Sequence, residues 1–130
     1  MPNLKDALTR LLAIPGVRAT VLVGRDGLPI ESAGRGDGRF HDEVGAMGAS
    51  ALGTTEALGQ ALGAGRTVAV LLEYEDVLVS VDPLSEFVVL VTLAESAASL
   101  GLIRHTLYAN RQEILRLLDM RCQRYPEEGE

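Results

Sequence analysis

Hydrophobic positions crowd most densely between residues 66 and 93, in the stretch RTVAVLLEYEDVLVSVDPLSEFVVLVTL. Three runs rich in Val and Leu, Thr67 to Tyr74, Val77 to Val81 and Phe87 to Leu93, have the composition that packs on a pleated surface. Glu75-Asp76 parts the first two runs. Asp82-Pro83-Leu84-Ser85 parts the last two, and its proline pre-sets a turn. Connections this short leave only antiparallel hairpins, because a parallel return needs a crossover of about a dozen residues. The stretch therefore reads as a three-stranded meander. Its runs are too apolar to face water on either side, so other elements must cover both faces.

The flanking blocks change period. Leu4, Leu8, Leu11 and Leu12 recur at helical spacing behind Asn3, a capping residue with Asp6 three positions on; this predicts a helix over 3–14 that stops at Ile14-Pro15-Gly16. Val17 to Val23 alternates as a strand. Arg25-Asp26-Gly27 is a tight hairpin turn, and Leu28 to Ala33 returns. Pro29 cannot donate to a ladder, which places that return strand at a sheet edge. Residues 34–39, Gly-Arg-Gly-Asp-Gly-Arg, read as a flexible loop. A second helix is predicted over 42–62, with one stripe of Val44, Met47, Ala51, Leu58 and Leu62. A second, smooth stripe contains Gly45, Ala49, Leu52, Glu56, Gly59 and Gly63. Gly45, Gly48, Gly53 and Gly59 in its interior cost roughly 3–4 kcal/mol in propensity, which only close packing can offset. Two arrangements satisfy that demand: the smooth stripe sits tight on the chain's own sheet, or it meets a second backbone. A last helix, roughly 97–122, follows a cap at Glu95 or Ser96 and buries Leu100, Ile103, Leu107, Ile114 and Leu118. Residues 125–130 read as a disordered acidic tail behind one domain over 1–124.

The order α-β-β-α-β-β-β-α suits an α+β fold: one five-stranded antiparallel sheet, with the first and last helices on one face and the middle helix on the other. If Thr67 to Leu72 forms the second edge, it is a flat apolar edge that must be used. Pairing with the same strand of another copy by two-fold symmetry is the simplest use. Thr67, Val68, Ala69, Val70, Leu71 and Leu72, with Gly45, Ala49, Leu52 and Gly59 of the middle helix, are the candidate interface.

Composition narrows the function. In 130 residues, 47% are apolar, 4% are aromatic, and the formal net charge is −6. An acidic, aromatic-poor chain is a poor binder of nucleic acid or of an anionic membrane surface. One cysteine, Cys122, leaves no internal disulfide and no cysteine metal cluster, and reads as a small packing residue. With no signal peptide and no long apolar run, a cytoplasmic setting without membrane insertion is expected.

The hairpin VLVGRDGLPIESAG, the Gly/Ala-rich second helix and the segment SLGLIRHTL resemble the roadblock (dynein light chain) domain family, over about residues 3–120. The resemblance implies a dimer, with itself or with a paralogue, formed through the middle strand and the second helix. Bacterial members are similar to the gliding-motility regulator MglB, a partner of a small Ras-like GTPase. It therefore implies a non-enzymatic regulator of such a GTPase; the alternatives are an adaptor without effect on hydrolysis and a small-ligand sensor.

The chemistry inventory fits that reading. His41, bordering a loop, and His105, within the last helix, read as partly exposed residues rather than as bases or ligands. No catalytic, cofactor or metal constellation is legible. Residues 34–38 lack the Lys-Ser/Thr of a phosphate loop and its strand-loop-helix context, and Arg35-Gly36-Asp37 is a chance tripeptide. Arg35, Arg39 and Glu56 are candidate GTPase contacts. An arginine finger would use Arg35 or Arg39, but the resemblance favours a dimer that reshapes the GTPase's own switch segments.

Overall fold

The computed structural model describes residues 3–124 and holds the predicted order: α1 (Leu4–Leu11), β1 (Val17–Gly24), β2 (Pro29–Gly34), α2 (Gly38–Leu62), β3 (Val70–Glu73), β4 (Val77–Pro83), β5 (Val88–Glu95) and α3 (Leu100–Arg124). The strands form one antiparallel sheet in the order β2-β1-β5-β4-β3. The expected acidic tail over 125–130 and the side chain of Cys122 lie outside the described residues.

Strand alternation splits the core into two layers. Leu22, Leu78 and Leu90 face α1 and α3, where they join Leu8, Leu11, Ile103 and Ile114. Val21, Val23, Val81, Val89 and Val91 face the other way, toward Ala49 and Leu52 of α2. Each fully buried side chain of this size contributes about 1.5–3 kcal/mol.

Local chemistry explains most of the element boundaries. At α1 the capping box is complete: Asn3 accepts from the Asp6 N–H at 2.9 Å, and the Asp6 carboxylate accepts from the Asn3 N–H at 3.0 Å. The helix ends at Leu11, one turn earlier than the predicted 14. Helix α2 begins at Gly38, not at 42. Asp37 is its N-cap and accepts the Phe40 N–H at 2.8 Å, so the segment read as a loop over 34–39 is partly helix. It closes at Gly63, in the left-handed conformation (φ 64°) that glycine adopts without strain. Helix α3 begins at Leu100, with Ser99 rather than Glu95 or Ser96 at its cap: the Ser99 hydroxyl accepts the Leu102 N–H at 3.2 Å.

The two stripes of α2 resolve clearly. Gly45, Gly48, Ala49 and Leu52 are buried against the sheet. A β-carbon on Gly48 would stand 2.5 Å from Val91 Cγ2, and one on Gly45 would stand 2.9 Å from Val21 Cγ1. The glycines let the helix settle onto bulky β-branched valines. In the apolar stripe, Val44 packs on the same layer and Ala51 is half-buried, whereas Met47, Leu58 and Leu62 are turned outward.

Strand β3 starts at Val70, three residues later than predicted. Val70 pairs with Val81. Two positions further along the same register stands Pro83, which has no N–H to give. Residues 67–69 leave the ladder there.

Helix α3 is tied down by arginines to which composition alone assigned no role. Arg104 pairs with the buried Asp82, which also accepts the Ser80 hydroxyl at 2.8 Å. Arg111 donates to the Leu84 carbonyl at 2.8 Å, and Arg121 to Glu31 Oε2 at 2.9 Å. Arg10 of α1 meets Glu113 at 2.9 Å. Burial pushes the Glu31 carboxyl up, but the Arg121 hydrogen bond, the Ser32 N–H and the charges of Arg121 and Lys5 outweigh it and hold the group below its ordinary value.

Candidate interaction surface

Among the described residues, strand β3 pairs only with β4, so its outer ladder is open there. Val70 and Leu72 turn toward the α2 layer and are half-buried, whereas Leu71 on the opposite face is 43% exposed. The extended lead-in carries Val68, 78% exposed, and the β3–β4 turn carries exposed Tyr74. On α2, Leu58 and Leu62 are 59% and 70% exposed, with exposed Met47 about three turns earlier on the same face. These side chains put a large apolar area on an edge and on the helix that packs near it. Such patches mark interaction sites.

Where 67–69 leaves the sheet, a groove of about 690 Å³ opens between that lead-in, the end of α2 and the β4–β5 turn. Three guanidinium groups line it: Arg25 from the β1–β2 turn, Arg66 from the α2–β3 connection and Arg111 from α3. Arg25 is anchored, bonding both Glu56 carboxylate oxygens and the Ser85 carbonyl. Arg66 is exposed and has no hydrogen-bond or ion-pair partner among the described residues.

The predicted site residues separate accordingly. Val70, Leu71 and Leu72 lie on the edge strand, while Thr67, Val68 and Ala69 sit beside it in the lead-in rather than in it. Gly45, Ala49 and Leu52 are buried in the chain's own core, where Gly45 lies close against Val21 and Val23. Gly59 is half-buried, near the Gly65 carbonyl. Glu56 turns inward to Arg25, so its carboxylate is engaged rather than offered.

Arg39 lies on the first turn of α2, 90% exposed and 3.9 Å from Glu43, not on a loop. Arg35 is on the β2–α2 connection, which is held rather than loose. Its N–H donates to the Arg18 carbonyl at 2.9 Å, and its carbonyl accepts from His41 Nε2 at 2.7 Å. His41 itself belongs to α2 and is 4% exposed, with Nδ1 2.7 Å from the Ser32 hydroxyl, so the expectation of a partly exposed loop histidine does not hold. Its neutral form, with Nε2–H donating and Nδ1 accepting, satisfies both contacts. His105 is exposed on α3.

Sequence reasoning passed over Arg25, Arg66 and Arg111, which nothing in their spacing relates. It also passed over the acidic turn Glu73-Tyr74-Glu75-Asp76 as a surface. Leu58 and Leu62 were visible as a stripe, but not as an outward one.

The Roadblock/LC7 domain family matches residues 4–94 of the chain. The chain belongs to this family. Solved structures agree on the fold. A Roadblock/LC7 domain from Streptomyces avermitilis aligns with a TM-score of 0.84 at 20% identity, over 90% of this chain and 98% of that one. Myxococcus xanthus MglB aligns at 0.81 and 20%, over 90% and 95%. The gliding protein MglB of Thermus thermophilus aligns at 0.79 and 21%, over 90% and 89%. No curated relative matches the sequence. The α-β-β-α-β-β-β-α order with its five-stranded antiparallel sheet is thus the roadblock fold, as the hairpin and the last-helix segment had implied. Among the described residues, no helix is long and apolar enough to cross a membrane.

Proposed function

We propose that this roadblock domain works as a cytoplasmic homodimer, joined along β3 and the outward stripe of α2, that binds and regulates a small Ras-like GTPase without catalysing a reaction itself. The observation that carries the reading is the bare edge: β3 ends the sheet with an open ladder, and exposed Val68, Leu71, Leu58 and Leu62 stand on or near it. Two copies paired by a two-fold axis would complete the ladder and cover much of this apolar surface in one step. Family membership and the similarity to MglB structures support the GTPase as partner. Arg35 is a candidate contact on this reading because its backbone is fixed on both sides while its side chain stays exposed. Arg39, on the first turn of α2, is a second.

The test is co-elution with a Ras-like GTPase of the same genome, loaded with GDP or with a non-hydrolysable GTP analogue, followed by phosphate release during hydrolysis. Binding that prefers one nucleotide state, with an altered rate, supports regulation. Binding without any change in rate makes the chain an adaptor. No binding in either state overturns the reading.

A further inference from the structure

We infer that the acidic β3–β4 turn of one copy docks in the arginine-lined groove of the other, so that two symmetric charge clamps close the ends of the paired strands. This rests on the two-fold β3 pairing proposed above and adds to it the residues that set its register.

The starting point is the set of charges left over in the single chain. Glu73 at the end of β3 and Glu75 and Asp76 in the β3–β4 turn are all exposed, and none of their carboxylates has a hydrogen-bond or ion-pair partner among the described residues. Arg66, at the opposite end of β3, is equally unpartnered. The two sets cannot meet within one copy, because the strand itself separates them.

Symmetry brings them together. With a two-fold axis at Leu71, since directly opposed residues of an antiparallel pair share a face, Val70 lies opposite the partner's Leu72. Continuing outward along the two antiparallel chains, Thr67 meets the partner's Glu75 and Arg66 meets the partner's Asp76. Moving the axis to Leu72 shifts each pairing by two positions, about 6.6 Å, and sets Val68, two residues from Arg66, opposite the partner's Asp76. The adjoining strand would lie about 4.8 Å away, along the lead-in that forms one wall of the groove. That groove holds three arginines, Arg25, Arg66 and Arg111, against two carboxylates, Glu56, which is spent on Arg25, and Glu86 at the rim, which leaves one net positive charge there in a chain of net charge −6. An acidic turn is the complementary occupant, and the second copy supplies it. The retreat of residues 67–69 from β4, imposed by Pro83, leaves that segment's backbone free to pair outward.

Sedimentation equilibrium of the full chain tests the clamp, using Arg66→Glu, the pair Glu75→Arg with Asp76→Arg, and all three together, at low and high salt. All three positions are exposed and unpaired in the single copy, so circular dichroism should report an unchanged fold; Arg66→Gln provides a milder variant. Each reversal acts at two symmetric sites and is expected to weaken dimerisation about ten-fold at low salt. The loss should shrink at 0.5 M salt, where screening acts within a few ångströms. The combined variant should recover to within about three-fold of the wild type, since the charges are exchanged rather than removed. If the wild type dimerises but the reversals change nothing, or the combined variant is as weak as the sum of its parts, the clamp is wrong and the dimer stands. If the wild type stays a single copy throughout, the pairing fails and the clamp fails with it.

Discussion

Replacing Gly48 with alanine tests whether the small-residue face of α2 is committed to the chain's own sheet. A β-carbon there would sit 2.5 Å from Val91 Cγ2, and Val91 is 1% exposed in a layer of other valines. Carbon atoms rest at about 3.5–4.0 Å, so the helix or the valine must give by about 1 Å. Overpacking of this kind costs about 1–3 kcal/mol. Alanine returns about 0.8–1 kcal/mol of helix propensity, so the expected outcome runs from near neutral to about 2 kcal/mol destabilising. Gly53→Ala is the control: nothing lies within 4 Å of its β-carbon, so it collects the propensity gain alone. The gap between the two variants, about 1–3 kcal/mol, isolates the clash because propensity cancels. Urea unfolding at one fixed protein concentration reads it. With a slope of about 2 kcal/mol per molar urea, a gap of about 2 kcal/mol separates the midpoints by about 1 M. If Gly48→Ala stabilises as much as Gly53→Ala, the glycine face is not pressed on the sheet, and the outward assignment of Leu58 and Leu62 loses its basis.

Three further outcomes are expected. Arg104→Ala leaves the Asp82 carboxylate buried with only the Ser80 hydroxyl, and thermal unfolding should show a loss of about 1–3 kcal/mol, more than Arg116→Ala on the exposed side of the same helix. Glu31 is held below its ordinary value of 4.5, so its folded-state pairing stabilises the chain at and above that pH and the contribution is lost as pH falls through the lowered value; the stability difference between wild type and Glu31→Gln should be largest near neutrality and vanish in strong acid. Arg35→Ala with Arg39→Ala should leave any stimulated GTP hydrolysis within about ten-fold of wild type, whereas a collapse of about 10³ or more, with binding intact, would mark an arginine finger.

Elements whose signals are local are legible in the sequence itself. The Asn3–Asp6 capping box, the β1–β2 hairpin and the edge position required by Pro29 depend on residues a few positions apart, and each appears as expected. What escaped reading depends on contacts between distant segments. Periodicity reveals two stripes on α2 but not which one the sheet accepts; that follows from the projecting Val21, Val23 and Val91. The glycines around Asp37 masked a helix start, and the burial of His41 came from Ser32 and Arg35 closing over it. The length of β3 was set by Pro83 on the neighbouring strand. The groove joins Arg25, Arg66 and Arg111 from two separate connections and a helix, an arrangement no linear spacing encodes.

Sedimentation velocity from submicromolar to about 100 micromolar chain bears most directly on edge pairing, with Leu71→Lys run alongside. Edge pairing predicts a species of twice 13.9 kDa for the wild type, shifted toward the single-copy mass when a charge interrupts the edge strand. A wild type that remains at 13.9 kDa across the whole range would contradict it.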